Sequence, residues 1–414
     1  MVLAATPPER LTGDARRAQD DWVASGGPAH PFAADALAGG DVIVDALLGI
    51  GLTGAPRPET IAVIEAINAA RRPVFALDIP SGVDADTGAV HGAAVRADLT
   101  LSFVAFKSGT FLGAGPEHAG VVLLDDLGVV PPVRPEFAPL LRRIDESELA
   151  QNLPRRSRDA HKGTSGRVLV VGGGAGMPGA ARLAGEAALR VGAGLVSVAG
   201  DPGNLLAVTG TRPEIIYLPT PAAGIDVALR AADVVAIGPG LGTAEWGARL
   251  WSEFLRVSPA RAVVDADALN LLAREPVKLP ADWVLTPHPG EAGRLLGSDA
   301  GAVQSDRLGA VRELNVRFGA TAVLKGAGTL VACGGDAQAL YICERGNPGM
   351  ATAGMGDVLT GVIAGLVAQG IDPAQAARLG VLVHALAGDS AAQGGQRGLI
   401  ASDVIAELRG WVNP

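Results

Sequence analysis

The strongest constraint on the fold is a repeated order of short apolar runs, loops rich in glycine and aspartate, and segments with helical spacing. In the first part of the chain, apolar runs at 41–48, 73–77 and 99–105 each end in such a loop, and residues 59–70 have helical spacing. Strand, loop, helix and strand in this order are typical of a parallel sheet with crossover helices. Such sheets carry their chemistry in the loops that follow the carboxyl ends of strands.

The same order returns after residue 145. A proline-rich segment at 131–144 separates the two parts and is typical of a linker. A chain of 414 residues is long enough for two domains. We therefore predict an α/β protein with domains at 1–130 and 145–414. In the second domain, helices are predicted at 178–191, 357–369 and 373–387, and strands at 167–171, 195–199, 233–237, 262–264, 283–285, 322–324 and 330–332.

Charge and cysteine content bear on several classes of protein. Lys and Arg total 34 and Asp and Glu total 43, so the net charge of −9 makes nucleic acid or an anionic membrane a poor partner. Two cysteines exclude a disulfide framework and a cysteine-rich zinc site, and they suit a reducing compartment. No apolar run reaches the ~20 residues of a membrane-spanning helix, and the first ten residues lack a signal-peptide pattern. We expect a cytoplasmic protein that binds neither nucleic acid nor membrane.

One glycine-rich run leads directly into an apolar helix: Gly346-Asn-Pro-Gly-Met-Ala-Thr-Ala-Gly-Met-Gly-Asp357. Glycine allows tight turns and a close approach of the backbone to a ligand. A helix start offers free N–H groups and a positive dipole end to a phosphate or an oxyanion. Asp357 either caps this helix or acts as a base. Since four glycines in twelve residues exceed what a cap requires, we favour a functional site.

A second glycine-containing loop follows an apolar strand, in Lys325-Gly-Ala-Gly-Thr329. Lysine is scarce in this chain, and three of the four lysines lie within two residues of a glycine. The backbone N–H groups of this loop suit a phosphate, with the lysine as a point charge. The alternative is a simple β-turn between two strands. The P-loop pattern is absent from the sequence.

Three further loops follow strands. His288 lies between two prolines in Thr286-Pro-His-Pro-Gly-Glu291, and we favour a site over a structural histidine. Asp265 and Asp267 either order a Mg²⁺ ion or its waters, or cap a helix. The glycine-rich run at 172–179 departs from the classical dinucleotide fingerprint, so we expect a close backbone approach to a ligand but no classical dinucleotide site.

Six motifs of the second part resemble, in the same order, those of the ADP-dependent NAD(P)H-hydrate dehydratases, a ribokinase-like family. They begin at His161, Gly238, Val264, Thr286, Leu324 and Gly346, so the resemblance covers about residues 145–410. It implies repair of NADH and NADPH hydrated at C6 of the nicotinamide ring. The S epimer would be dehydrated with ADP and Mg²⁺, giving the reduced cofactor, AMP and phosphate.

The resemblance also implies roles for individual residues. Asp357 is expected as the general base. The substrate is expected near Ala180, Gly242, His288 and Asp357. ADP is expected on Lys325, Gly326, Ala327, Gly328, Thr329 and Gly356.

The first part resembles the NAD(P)H-hydrate epimerase that is often fused ahead of the dehydratase. The resemblance implies substrate binding at Gly49, Ile50, Gly51, Leu52 and Asp78, and K⁺ binding at Asp45 and Ser81. Ile50 stands where the family usually has threonine, and the family's Asn-Asn-Gly-Gly-Asp loop, with a third K⁺ ligand, has no counterpart in the sequence. We expect a truncated Rossmann-like three-layer αβα domain with an incomplete K⁺ site and little or no epimerase activity, followed by a ribokinase-like α/β domain.

Two alternatives stay open at this point. One is a ribokinase-like kinase for a small alcohol, such as a vitamin precursor. The other is a non-catalytic nucleotide-binding protein. The resemblance further implies a homo-oligomer.

Overall fold

The computed structural model describes residues 1–129, 139–220, 225–334 and 339–414. It divides the chain into two compact units, Met1–Ala138 and Pro139–Pro414. In the described residues, no helix is both long and apolar enough to cross a membrane. The predicted α/β class and the two-domain organisation are confirmed.

The first unit contains a two-stranded and a four-stranded parallel sheet among its described residues. The small sheet pairs β1 (Val2–Ala4) with β2 (Ala29–Pro31), with helix α1 (Gly13–Ala24) between them in the chain. The larger sheet has the sequential order β3 (Ile43–Asp45), β4 (Val74–Leu77), β5 (Leu99–Phe103) and β6 (Val121–Asp125). Helices α2 (Pro58–Ala69) and α3 (Gly115–Ala119) also belong to this unit.

The core of the first unit lies between α2 and the neighbouring strands. Ile64 on α2 is fully buried, as is Ala76 on β4, and both belong to one apolar cluster with Val74 and Val95. The three predicted strands and the helix at 59–70 are therefore confirmed, each within a few residues.

The second unit is built on one ten-stranded sheet. Its order is β10-β9-β8-β11-β12-β13-β14-β15-β16-β7. Strands β8 to β14 run parallel, and β15 is antiparallel to both of its neighbours. The strands are β7 (Arg142–Arg143), β8 (Arg167–Val171), β9 (Leu195–Gly200), β10 (Ile215–Pro219), β11 (Val234–Ile237), β12 (Ala262–Val264), β13 (Trp283–Leu285), β14 (Thr321–Leu324), β15 (Thr329–Cys333) and β16 (Ala339–Cys343).

Twelve α-helices accompany this sheet in the described residues. They are α4 (Ser147–Asn152), α5 (Pro178–Arg190), α6 (Leu205–Thr209), α7 (Asp226–Ala231), α8 (Glu245–Val257), α9 (Ala266–Arg274), α10 (Pro289–Leu296), α11 (Ala300–Ser305), α12 (Arg307–Phe318), α13 (Met355–Ala368), α14 (Pro373–Ala391) and α15 (Ala401–Trp411). The seven strands and three helices predicted for this part are confirmed.

The end of the predicted linker belongs to the second unit. Residues 131–138 lie outside the described residues, but Arg142–Arg143 pair in parallel with β16, and Ile144 is buried in the core. This strand is too short and too polar for apolar periodicity to reveal it. The structured part of the second unit therefore begins before residue 145.

Helix α13 is packed unusually closely against α5. A Cβ atom added to Gly361 would lie 2.0 Å from the carbonyl oxygen of Ala184, and one added to Gly365 would lie 2.8 Å from that of Ala188. Glycine is therefore required at Gly361 by close backbone approach. Since α13 also contacts β8, β11 and β12, its start is held at a defined place beside the sheet.

Candidate active site

Three loops at the carboxyl ends of neighbouring parallel strands meet the start of α13. Asp265 follows β12 and Lys325 follows β14, and the Lys325 Nζ to Asp265 Oδ1 distance is 2.7 Å. The backbone N–H of Lys325 donates to the carbonyl of Pro287 in the loop after β13. The hydroxyl of Thr360 on α13 donates to the other oxygen of Asp265 at 2.7 Å. The predicted motifs around Asp265, Pro287 and Lys325 thus come together beside α13.

The ammonium of Lys325 lies close to Gly356. A Cβ atom added to Gly356 would be 3.2 Å from Nζ, so a side chain there would crowd the cation. Glu291 Oε2 lies 3.8 Å from the same nitrogen. Burial alone lowers the pKa of Lys325, but the carboxylates of Asp265 and Glu291 outweigh it and raise that pKa above its usual value. A permanent positive charge therefore lies beside the first turn of α13.

Asp357 occupies the first turn of α13 without capping it. Gly354 is the N-cap residue, and no side chain caps this helix start. The capping alternative therefore does not apply. Burial, followed by the negative charge of Asp265, raises the pKa of Asp357 to about 7, although Lys325 acts in the opposite direction. A carboxylate with this pKa is suited to accept a proton at neutral pH.

His288 caps α10 and at the same time presents a donor. Its Nδ1 accepts a hydrogen bond from the Gly290 N–H at 3.0 Å, and Glu291 accepts one from the His288 N–H at 2.8 Å. Burial, with the positive charge of Lys325, lowers the pKa of His288. The neutral ring must then carry its hydrogen on Nε2, because Nδ1 is an acceptor. Half of the side chain is exposed, and Nε2 lies 3.5 Å from Glu291 Oε1.

Gly242 lies in the loop after β11, and Ala180 lies in the first turn of α5, directly after the loop that follows β8; the two loops are joined to each other. Gly174 after β8 donates to the carbonyl of Gly240 after β11 at 2.7 Å. A Cβ atom added to Gly240 would be 3.2 Å from that of Ala180. The N–H of Gly242 donates to Asp267 Oδ2 at 2.8 Å, which connects these loops to the start of α9. The loops lie where the strand order reverses between β8 and β11, a usual place for ligands in such sheets.

The helix-capping alternative for Asp265 and Asp267 does not apply, and the Mg²⁺ alternative stays a prediction. Asp265 pairs with Lys325 and Thr360, Asp267 accepts from Gly242, and neither side chain caps α9. Within the described ranges, no group of three His, Cys, Asp or Glu side chains is placed to hold a metal ion. These carboxylates position other groups.

Residues 325–329 form a turn between the antiparallel strands β14 and β15. A simple turn was one of the two interpretations of this loop. Gly326 and Gly328 have φ of 142° and 65°, a region that favours glycine. Gly326 and Ala327 are exposed, and the Thr329 hydroxyl donates to the Gly326 carbonyl at 2.9 Å. A turn with exposed backbone remains compatible with phosphate binding.

Sequence reasoning missed residues that hold these loops from a distance. Asp389 on α14 accepts hydrogen bonds from the Gly346 N–H at 3.0 Å and from Asn347 Nδ2 at 2.9 Å. It thereby anchors the glycine-rich run that precedes α13. The available signal was the single acidic residue of this helix. Arg307, which lies behind the 325–329 turn, was missed in the same way.

In the first unit, the two residues expected to bind K⁺ lie together. Asp45 and Ser81 are each 1% exposed, and the Ser81 hydroxyl donates to Asp45 Oδ1 at 2.6 Å. Burial raises the pKa of Asp45 despite these hydrogen bonds. Asp78 forms an ion pair with Lys107 and accepts from the Phe103 N–H. Gly49, Ile50, Gly51 and Leu52 lie in the largely exposed loop after β3.

Comparison with known proteins covers both units. A family model described as NAD(P)H-hydrate dehydratase matches residues 168–409, and one described as the YjeF-related protein N-terminus matches residues 1–109. The chain is 46% identical to a bifunctional NAD(P)H-hydrate repair enzyme of Coxiella burnetii, over 100% of this chain and 84% of that protein. It is 42% identical to the corresponding Escherichia coli enzyme, over 100% and 79%.

A solved structure shows the fold of the second unit. It is an ADP/ATP-dependent NAD(P)H-hydrate dehydratase from Bacillus subtilis, co-crystallized with ATP and Mg²⁺. It is 28% identical, covers 65% of this chain and 97% of its own, and has a TM-score of 0.59. The ribokinase-like expectation is confirmed. With these matches over its full length, the chain belongs to the family of bifunctional NAD(P)H-hydrate repair enzymes.

Proposed function

We propose that the second unit dehydrates the S epimer of hydrated NADH or NADPH with ADP, giving the reduced cofactor, AMP and phosphate. The observation that carries this proposal is the carboxylate of Asp357, whose pKa is about 7, beside the buried ammonium of Lys325 at the start of α13. A base and a cation in this arrangement suit transfer of a phosphoryl group to a hydroxyl.

In the first step, Asp357 takes the proton of the C6 hydroxyl. The oxygen attacks the β-phosphorus of ADP, and the bond from that phosphorus to the bridging oxygen breaks, so AMP leaves with the electron pair. Lys325 and the N–H groups at 354–356 stabilise the negative charge that develops on the transferred group.

In the second step, phosphate leaves from C6. The lone pair of the ring nitrogen expels it, and loss of a proton from C5 restores the double bond of the dihydropyridine. Phosphorylation serves this step because phosphate is a far better leaving group than hydroxide.

The binding roles that we propose come from the family resemblance and agree with this geometry. We place ADP on the 325–329 turn and at Gly356, where exposed backbone and the Lys325 charge face one region. The hydrated nicotinamide is placed against Ala180, Gly242 and His288. The Nε2–H of neutral His288 is a donor for a carbonyl such as that of the carboxamide.

Metal ions enter this proposal in two different ways. Mg²⁺ usually binds phosphate oxygens and water with few protein ligands, which agrees with described carboxylates that are already engaged. We assign Mg²⁺ to the diphosphate and to no residue.

In the first unit, the carboxylate of Asp45, the hydroxyl of Ser81 and the carbonyl of Leu48 form a compact set of oxygens, which fits K⁺. We propose Asp45 and Ser81 as its ligands.

We also propose three properties that the family resemblance implies. They are substrate binding at 49–52 and Asp78 in the first unit, a homo-oligomeric assembly and a cytoplasmic location. Light scattering after gel filtration measures the assembly, and a single-chain mass would contradict it.

The test of the proposed base compares two aspartates at helix starts. Asp357→Asn should still bind ADP and should lose at least ~10²-fold in turnover, a usual effect of removing a general base. Asp299→Asn, at the start of α11, is the matched control and should behave as wild type. Wild-type turnover of Asp357→Asn would refute the assignment. Formation of a stable phosphomonoester from ATP would instead indicate a small-alcohol kinase.

A further inference from the structure

Arg307, the first residue of α12, lies buried behind the turn at 325–329. Its side chain donates to the carbonyl of Gly328 at 3.1 Å and, more weakly, to that of Leu324 at 3.4 Å. A Cβ atom added to Gly326 would lie 2.9 Å from one of its terminal nitrogens. The guanidinium therefore contacts the turn at its first glycine and its last, and residue 307 is only 7% exposed.

The charge of Arg307 has no counter-ion among the described residues. Its remaining hydrogen bond is to the neutral side chain of Gln304 at 2.8 Å, and its Nε has no partner. Burial lowers the pKa of Arg307, and no neighbouring carboxylate opposes this. A buried cation without a counter-charge costs free energy, so such groups are usually paired or serve a ligand.

We propose that Arg307 supplies the buried positive charge that pairs electrostatically with the phosphates of a nucleotide bound on the 325–329 turn, and that it fixes the backbone of that turn. This inference rests on the nucleotide site proposed above. Arg307 acts through the turn and is a positioning residue. The ligand class is a nucleoside diphosphate, because its phosphates bring the negative charge that the described structure lacks at this place.

The test separates charge from hydrogen bonding by measuring the affinity of the full chain for ADP and for adenosine. Arg307→Gln keeps planar N–H donors and removes the charge, whereas Arg307→Lys keeps the charge. We expect Arg307→Gln to bind ADP about tenfold more weakly, the usual loss for one charge-assisted contact, and to bind adenosine almost as well as wild type. Arg307→Lys should stay within about threefold for ADP.

The kinetic counterpart is a rise in KM for ADP with little change in kcat, as expected when binding is lost equally in ground and transition states. Arg317→Gln is the matched control, since Arg317 lies exposed on the same helix. It should leave both affinities unchanged.

Several results would overturn the inference. These are unchanged ADP affinity in Arg307→Gln, equal losses for ADP and adenosine, or a failure of both Arg307→Gln and Arg307→Met to fold, which would assign a structural role. Lys325→Met shows whether a negative result concerns Arg307 alone or the proposed nucleotide site as a whole. If it weakens ADP binding while Arg307→Gln does not, only the role of Arg307 is wrong. If neither variant weakens ADP binding, the nucleotide site itself lies elsewhere.

Discussion

At the scale of single residues, the site works by placing unlike charges within a few ångströms of each other. Asp265 forms an ion pair with Lys325 at 2.7 Å, and the same carboxylate makes it harder for Asp357 to ionise. Lys325 is thereby held close to Gly356, where we propose that a phosphoryl group binds, while the raised pKa of Asp357 suits it to accept a proton at neutral pH. The buried carboxylate of Asp265 therefore positions one group and tunes the other.

The pH dependence of kcat/KM follows from this arrangement. Asp357 must be deprotonated to act as a base, so activity should rise with pH through a limb near 7. Asp265→Asn removes a negative neighbour and should move that limb to lower pH by about one unit. The measurement is the pH profile of kcat/KM for both proteins. A limb that stays in place in Asp265→Asn would contradict the coupling.

The protonation of Asp357 should also affect the stability of the fold. Activity requires the deprotonated carboxylate, whereas the folded state favours the protonated form. The pKa of Asp357 is about 7 in the folded chain against 3.8 in an unfolded one, so the folded state binds more protons between these values. Its contribution is full below about pH 4 and is lost as the pH rises through 7. Asp357→Asn should therefore be more stable than wild type at pH 8, by up to about 4 kcal/mol, and equal to it near pH 4.

Urea denaturation at the two pH values measures this difference. Asp299→Asn is the control, because Asp299 is an exposed cap residue and asparagine is an equally good cap. A gain for Asp357→Asn that is the same at both pH values would contradict the explanation.

At the scale of elements, apolar periodicity predicted the buried strands and missed the marginal ones. Strands such as β8 and β11 are buried along most of their length and appear in the sequence as continuous apolar runs. Strand β7 has two exposed arginines, and α1 buries no residue, so neither has an apolar signal. These elements depend on tertiary pairing, which periodicity does not report.

The contact between α13 and α5 should be sensitive to one methyl group. In Gly361→Ala, the added carbon must displace the Ala184 carbonyl, since the built distance is only 2.0 Å. We expect a loss of about 1–3 kcal/mol in the free energy of unfolding. Turnover should also fall, because the same helix carries Asp357 at its start.

Gly410→Ala provides the matched control for this experiment. Gly410 lies within α15, and a Cβ atom there meets no atom within 4 Å. The substitution should stabilise the protein by about 0.5–1 kcal/mol, as alanine does in a helix. Equal effects of the two substitutions in chemical denaturation would refute the close-packing explanation.

At the scale of the whole molecule, the order of motifs indicated which loops form the site, because loops after parallel strands converge at one edge of a sheet. The order of motifs did not predict the hydrogen bonds between residues that lie far apart in the sequence. Thr360 bonds Asp265 across 95 residues, and Asp389 bonds Gly346 across 43. No spacing rule links such positions. The ion pair between Asp265 and Lys325 was not predicted for the same reason.

The two units should differ in activity. The 414-residue polypeptide contains no Asn-Asn-Gly-Gly-Asp segment, so we expect little or no epimerase activity from it. With a mixture of both epimers of hydrated NADH, ADP and Mg²⁺, recovery of the reduced-nicotinamide absorbance should slow sharply once the S epimer is consumed. Rapid and complete recovery would show that this polypeptide still epimerises.

The central claim is that the second unit restores the reduced cofactor at the expense of ADP. The most direct test incubates the purified chain with hydrated NADH, Mg²⁺ and ADP, and follows absorbance and AMP together. We predict one AMP for each NADH recovered, and neither product without nucleotide or with Asp357→Asn. Recovery of NADH without formation of AMP, or no recovery with ADP at all, would contradict the account.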